Sequence, residues 1–402
     1  MQFTSKTQYV SQKNSIRTEK IEKKYNKEER NTMNQPYQIY VHIPFCKARC
    51  GYCAFSSCTD FSLCESYFQK LYDQIDKTDV VQSNVSTIFI GGGTPSSVDT
   101  KYIDGLFAKL RQKFNLTNVS EITVECNPES VTEQLLDCLK SNGVTRLSFG
   151  LQSTNDKTLK AIGRLHTFEQ FVQALTLAHQ KGFTNINADL ILGLPETFDD
   201  FKTSVNTVVK LPLTHVSVYA LEVHHGSAIS KLVESYGYTE DDLADMYDYA
   251  CDTLQNNGFL RYEISNFAKV GCECKHNLGY WQEKRYYGFG PSASGFIENV
   301  RYDNVATLQQ YLDTPTENLL INQKEISLDE QANEFVMLGL RLTNGVNLQQ
   351  FKQNYMADFF DFFPNANPLL HKGLLKVVGQ NVVVPQEKFY VVNGILCELL
   401  NI

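Results

Sequence analysis

The chain has 402 residues, of which 42% are hydrophobic, 12% aromatic and 20% charged, inside the globular range and outside the disordered one. No apolar run approaches the roughly 20 residues needed to cross a bilayer, and the first thirty residues lack the apolar core of a secretory signal. These features exclude a membrane span and oppose export. A net charge of −8 and a pI near 5.6 oppose a nucleic-acid partner.

Residues 1–33 hold eight Lys/Arg against four Glu, so a locally basic leader precedes an acidic body. Its polar run has no packed apolar face and reads as a disordered extension. The four Glu are wrong for a transit peptide. Met33 stands just before the first strand-like segment and offers a second translation start. The chain carries 11 Cys, and five of them (Cys46, Cys50, Cys53, Cys58 and Cys64) crowd into one short stretch. Without an export signal such a cluster points to metal binding in a reducing cytoplasm.

From Tyr37 onward short β-rich segments alternate with longer amphipathic ones, the pattern of repeated βα units. Strands are expected at Ile39–His42, Thr87–Ile90, Glu121–Cys126, Arg146–Phe149, Asn185–Leu190 and His215–Tyr219. Helices are expected near Glu65–Lys77, Thr100–Lys113, Thr132–Ser141, Phe168–Lys181 and Asp199–Leu211. Six such units predict an α/β fold, a partial TIM-like (β/α)6 barrel. Thr239 and Asp242 resemble a capping box opening another helix, closed by Gly258. The stretch Arg261–Phe296 reads as a structured loop. Helices return from about Val305, and Gly373–Pro385 suggests a hairpin, so the C-terminus is expected to form a small helical, winged-helix-like domain.

The strongest chemical signal is C-K-A-R-C-G-Y-C, which puts Cys46, Cys50 and Cys53 on one loop directly after the first strand. Three thiolates can ligate three irons of a cubane and leave the fourth without a protein ligand. A structural zinc site wants four ligands, usually as paired knuckles, and that pattern is absent. In a parallel barrel, loops at the strand C-termini build the active site.

The run Y-V-H-I-P-F-C-x3-C-x-Y-C resembles the cluster loop of the radical S-adenosylmethionine (SAM) enzymes. The likeness is to the branch that holds oxygen-independent coproporphyrinogen III oxidases and HemW-type haem chaperones, and it runs from about Tyr37 to the C-terminal region. It implies a [4Fe–4S] cluster on Cys46, Cys50 and Cys53 whose open iron is chelated by SAM; electron transfer then breaks a C–S bond and yields a 5′-deoxyadenosyl radical. Cys58 and Cys64 are expected to be non-ligand thiols.

Gly91-Gly92-Gly93-Thr94-Pro95 follows the second strand. Taken alone it fits a plain tight turn, but it also resembles the family segment that meets the SAM methionine moiety, which assigns Gly92, Gly93 and Thr94. Glu125, Gln152 and Asp189 stand in or just after the third, fourth and fifth strands, where they could cap loops or face a ligand at the barrel mouth; Arg164 could equally be a surface arginine. The resemblance assigns all four, together with Tyr40, as SAM contacts, with Arg164 near the carboxylate.

Two features choose between the branches. The oxidases carry a further cysteine two residues after the third ligand, where this chain has Phe55. His276-Asn277-Leu278-Gly279-Tyr280-Trp281 is similar to the H-N-x-x-Y-W haem-binding motif of the chaperones. Imidazole is a common iron ligand, and Tyr beside the single Trp offers a flat apolar face for a macrocycle. His276, Asn277, Tyr280 and Trp281 could instead simply knit this loop to the barrel, and Cys272 or Cys274 could be the ligand. By the resemblance, the function is a haem chaperone that passes haem to acceptor haemoproteins, by analogy those of a respiratory chain; the alternative is a coproporphyrinogen III oxidase. The expected divisions are 1–33, a barrel over 34–236, a helix with the haem-motif segment over 237–304, and the C-terminal module over 305–402.

Overall fold

The structure is a computed structural model that describes residues 35–53, 55–222 and 229–401. The basic extension over 1–33 and the start at Met33 lie outside the described residues.

The first half is a run of parallel βα units: β1 (Tyr37–Ile43), α1 (Cys64–Lys77), β2 (Val85–Gly92), α2 (Thr100–Lys113), β3 (Glu121–Cys126), α3 (Glu133–Ser141), β4 (Arg146–Gln152), α4 (Asp156–Ala161), α5 (Phe168–Gln180), β5 (Asn185–Leu192), α6 (Phe198–Val208) and β6 (His215–Ala220). Each pair of neighbours from β1 to β6 is parallel. Ile39, Val41 and Ile43 on β1, with Ile88 and Ile90 on β2, are fully buried in one continuous core shared with the helices, as expected where helices cover a parallel sheet. The helix starts are written in the sequence: Thr132, Thr167 and Thr197 each accept a backbone N–H at N3, and the last two are capping boxes.

The alternate residues of these strands make a polar lumen. Gln38 donates to Thr87 at 2.8 Å, Asn187 to Ser148 at 2.8 Å, and His215 pairs with Asn187 at 2.6 Å, all buried. This departs from the apolar layers that usually fill a small parallel barrel.

Beyond β6 come α7 (Ser230–Glu234), α8 (Glu240–Asn256), β7 (Leu260–Arg261), β8 (Asn266–Ala268), α9 (Lys275–Trp281), β9 (Tyr286–Phe289), β10 (Ser294–Ile297), β11 (Val300–Asn304), α10 (Leu308–Asp313) and β12 (Leu320–Glu325). The sheet is therefore wider than six strands, with twelve in the order β12-β11-β10-β9-β1-β2-β3-β4-β5-β6-β8-β7. The stretch expected as a loop over Arg261–Phe296 contributes four short strands and α9. Two of these strands join the barrel through partners distant in sequence, β9 with β1 and β8 with β6, which hides them from local pattern.

The C-terminal module contains α11 (Leu328–Gly339), β13 (Val346–Asn347), α12 (Leu348–Tyr355), α13 (Phe359–Phe362), α14 (Ala366–His371), β14 (Lys376–Val378), β15 (Asn381–Val383) and α15 (Val392–Leu400). β14 and β15 form the expected hairpin, joined by β13 in a three-stranded antiparallel sheet. Among the described residues no helix is long and apolar enough to cross a membrane.

Candidate active site at the barrel mouth

The loop after β1 is held in place by backbone bonds before any ligand is considered. Cys58 N–H donates to Pro44 O at 2.7 Å, Cys46 N–H to Cys58 O at 3.0 Å, and Gly51 N–H to Ile162 O at 3.0 Å. From the neighbouring strand, Gly93 N–H donates to Ile43 O at 2.8 Å and Thr94 N–H to Phe45 O at 2.7 Å. The glycine run thus laces the cysteine loop to the end of β2.

Cys46, Cys50 and Cys53 line one cavity of about 490 Å³ at the C-terminal ends of the strands. Gly92, Gly93, Thr94, Glu125, Gln152, Arg164 and Asp189 line the same cavity. Of the predicted SAM contacts, Tyr40 alone stands off its wall; its hydroxyl lies 3.1 Å from His42 Nδ1 and its ring stacks on Phe89. Cys58 and Cys64 do not line it.

Thr94 Oγ1 donates to Cys46 Sγ at 3.4 Å and Arg164 Nη1 to Cys50 Sγ at 3.7 Å. Burial pushes the Cys46 and Cys53 thiols up, and the nearby Cys50 raises both further. Three thiolates there repel one another unless a multivalent cation sits among them. Among the described residues no three His, Cys, Asp or Glu side chains converge on a single metal-ion position. The trio lines one wall of the cavity.

The wall beside the thiols is charged. Gly92 N–H donates to Glu125 Oε2 at 2.9 Å, and a side chain at Gly91 would strike that same carboxylate. Burial, with the charge of Asp189 behind it, pushes the Glu125 carboxyl up to about 7. Burial also raises Asp189, opposed by the amide of Asn187 donating to it at 2.7 Å. Arg164 Nη2 donates to Gly150 O at 2.6 Å and to Asn127 Oδ1 at 2.7 Å. Gln152 has φ +75 where the β4–β5 register slips, a conformation uncommon for a side-chain-bearing residue and concentrated at functional sites. Asn127 was not anticipated: it donates to Thr94 Oγ1 at 3.0 Å while accepting from Arg164, tying the glycine turn to the arginine. Its place in V-E-C-N-P, two residues after Glu125, was the available signal.

The outer cavity is apolar, lined by Tyr52, Phe55, Ile191, Tyr219 and Leu221. Phe55, in the position where the oxidases carry cysteine, is 65% exposed at this rim.

The second predicted group lies at the opposite end of the barrel. α9 plugs the lumen base: Glu121 accepts the N–H groups of Lys275 at 3.1 Å and His276 at 3.0 Å, and Gln38 donates to His276 O at 3.1 Å. His276 is 1% exposed. Its Nδ1 lies 2.8 Å from Thr87 Oγ1, its Nε2 lies 3.0 Å from the Tyr280 hydroxyl, and burial pushes its pKa down to about 3. The structure therefore brings His276 and Tyr280 together inside the barrel and leaves Asn277 and Trp281 half-buried, one residue further round the helix. Both ring nitrogens of His276 are engaged, and the Glu121 cap with the inward 276/280 pair knits the helix to the lumen. Cys274 is buried against Glu121, and Cys272 is half-buried.

The radical SAM superfamily profile matches residues 40–208, and the HemN C-terminal domain profile matches residues 326–389. A protein named heme chaperone HemW from Lactococcus lactis is 32% identical over 375 residues, covering 92% of this chain and 98% of that relative. Another of that name from Bacillus subtilis is 36% identical over 350 residues, covering 84% and 92%. Among solved structures, the coproporphyrinogen III oxidase HemN from Escherichia coli, a radical SAM enzyme, superposes with a TM-score of 0.81 over 92% of this chain and 93% of that one. At 23% identity that likeness speaks for the fold alone.

Proposed function

This chain belongs to the family of radical SAM proteins named heme chaperone HemW, and from that premise we propose that it is a haem chaperone. In this proposal it binds a [4Fe–4S] cluster and SAM, takes up haem, and passes it to acceptor haemoproteins such as those of a respiratory chain. The observation that carries it is the meeting of Cys46, Cys50 and Cys53 with Gly93, Arg164 and Asp189 in one cavity.

Cys46, Cys50 and Cys53 would hold three irons of the cluster, and the mutual repulsion of their thiolates fits a cationic occupant. When bound, the cluster and SAM together supply one-electron reductive cleavage of a carbon–sulfur bond. The chain's own residues bind and orient. Gly92 and Gly93 let backbone approach the methionine moiety, Arg164 supplies a cation for its carboxylate, and Glu125 and Asp189 offer anionic acceptors. Gln152 completes the SAM contacts, and Tyr40 braces the wall from behind through His42 and Phe89. A reducing cytoplasm would keep the thiols available.

For haem, we propose the segment His276–Trp281, with Asn277, Tyr280 and Trp281 beside the iron ligand His276. Ligation through His276 requires α9 to be drawn from the lumen base, breaking its contacts with Thr87 and Tyr280. The testing experiment is anaerobic reconstitution followed by parallel assays of haem and coproporphyrinogen. Expected are a cluster chromophore, retained SAM and haem uptake that is weakened by His276→Ala with the cluster intact. Transfer to an apo-haemoprotein should follow. Protoporphyrinogen formed at catalytic turnover would instead make the chain an oxidase.

A further inference from the structure

Beneath the cavity floor the lumen holds a buried cation that the proposed function does not use. Arg146 lies on β4 between Thr123 of β3 and Asn185 of β5 and is 2% exposed. Its Nε is buried with no hydrogen-bond partner among the described residues, and so is the Thr123 hydroxyl beside it. A guanidinium so placed is costly unless its charge is balanced by anions further off. The titratable and charged groups packed around this lumen are Tyr40 and His42 on β1, Glu121 and Glu125 on β3, Asp189 on β5, His215 and Tyr219 on β6, and His276 and Tyr280 on α9, where burial pushes the imidazole down to about 3. Arg164, Tyr262, Glu263 and Cys274 reach it from the loops. Glu121 is taken by the N-terminus of α9, and burial holds His215 neutral. Glu121 at the lumen base balances part of the guanidinium charge; toward the mouth the next carboxylates on the neighbouring strands are Glu125 and Asp189, one β-sheet step or two along.

We propose that Arg146 is a positioning residue for SAM: from below the pocket floor its charge keeps Glu125 and Asp189 ionised together, so that both carboxylates stay available to a cationic ligand. This rests on the reading of the cavity as the SAM pocket. Two buried carboxylates oppose each other's ionisation, and each of these is raised by burial and lowered by Arg146. Arginine does not deprotonate in such a setting. A direct ion pair would consume the carboxylate oxygens, whereas a cation one layer lower acts through the low-dielectric lumen and leaves them facing the cavity. Gly92 N–H donates to Glu125, and the Asn187 amide and the Ser217 hydroxyl donate to Asp189.

The test is equilibrium dialysis of SAM against the anaerobic, cluster-loaded full chain between pH 6 and 9, for the wild type, Arg146→Met and Arg146→Lys. In Arg146→Met the affinity at pH 7 should fall roughly ten-fold and return toward pH 9, the acid-side midpoint moving up by about one pH unit; lysine should restore most of that shift. A pH-independent loss in Arg146→Met would mark a merely structural role and overturn the proposal, as would an unchanged curve. Should the methionine variant not fold, Arg146→Lys, with its charge on a shorter and less well-placed stem, must show a smaller shift of the same sign, and superposition on the wild type would overturn it. If the wild type keeps its cluster but retains no SAM, the pocket assignment itself has failed, and this inference falls with it.

Discussion

At position 93 the backbone leaves no room for a side chain: a Cβ there would lie 2.8 Å from Phe45 O and 2.9 Å from Ile43 O. Those are the same carbonyls that anchor the glycine turn to the cysteine loop. Gly93→Ala should therefore push the two loops apart, at a cost of about 1–3 kcal/mol, and lower cluster occupancy, read from iron content and visible absorbance. Normal occupancy would show that the lacing is not needed. Among the thiols, Cys46→Ala, Cys50→Ala or Cys53→Ala should abolish the brown chromophore while Cys58→Ala keeps it; absorbance retained in any of the first three would remove that residue from the ligand set. Glu196 makes a pH prediction. It is buried and accepts from Ser153 Oγ at 2.7 Å, yet burial pushes its carboxyl up to about 7. The native state then holds a proton that the unfolded state releases near pH 4.3. The stabilisation is complete below that lower value and is lost as pH rises through 7, on the order of 3 kcal/mol in all. Glu196→Gln should flatten the decline in melting temperature between pH 5 and 8, and parallel curves for the two proteins would refute it.

Among the elements, α9 shows what the sequence could and could not convey. β1 to β6 were legible because Val- and Ile-rich segments alternate with amphipathic ones, and the helix starts because Thr at N-cap has a local consequence. α9 was legible only as composition: His, Tyr and Trp look like a ligand set, and the partner that fixes the helix is Glu121, 154 residues away for Lys275 and 155 for His276. β9 was hidden for the same reason, since it pairs with β1 across the sheet. β12 is exposed along its whole length, so no alternation of burial marks it. At the mouth, the cysteines stood out by spacing and the glycines only through the family resemblance, whereas Asn127 was not legible, because its role is to join two loops. The plug reading has its own consequence. A side chain at Gly279 would run into the Gln38 amide, which bonds both Thr87 and His276 O. Gly279→Ala should speed hydrogen exchange over 275–281 and, by lowering the cost of releasing α9, strengthen haem binding. Faster exchange with unchanged haem affinity would separate the plug from the haem site.

On the scale of the molecule, the two ends of the barrel carry different attachments. The mouth holds the thiols and the charged cavity; the C-terminal module is fastened through the segment around β7. There Arg261 bridges both sides: its guanidinium lies 4.3 Å over the Phe389 ring, Nη2 donates to Gln386 O at 2.9 Å, and Nη1 donates to the Tyr247 hydroxyl at 3.2 Å. Next to it, Thr343 N–H donates to Tyr262 O at 3.1 Å, and the Tyr262 hydroxyl in turn reaches His215 in the lumen base at 2.8 Å. Removing the guanidinium costs its cation–π contacts with Phe389 and Tyr247 and three hydrogen bonds, the third to Cys251 Sγ at 3.3 Å, together about 1–3 kcal/mol, concentrated where the module meets the barrel. Arg261→Ala should accordingly separate calorimetric unfolding into two transitions, the earlier one from the module. The cluster chromophore and SAM retention should persist, because nothing Arg261 touches lines the cavity. Loss of the chromophore in a variant whose barrel still melts at the wild-type temperature would mean that the module supports the mouth through the lumen, along Tyr262 and His215, rather than standing apart from it.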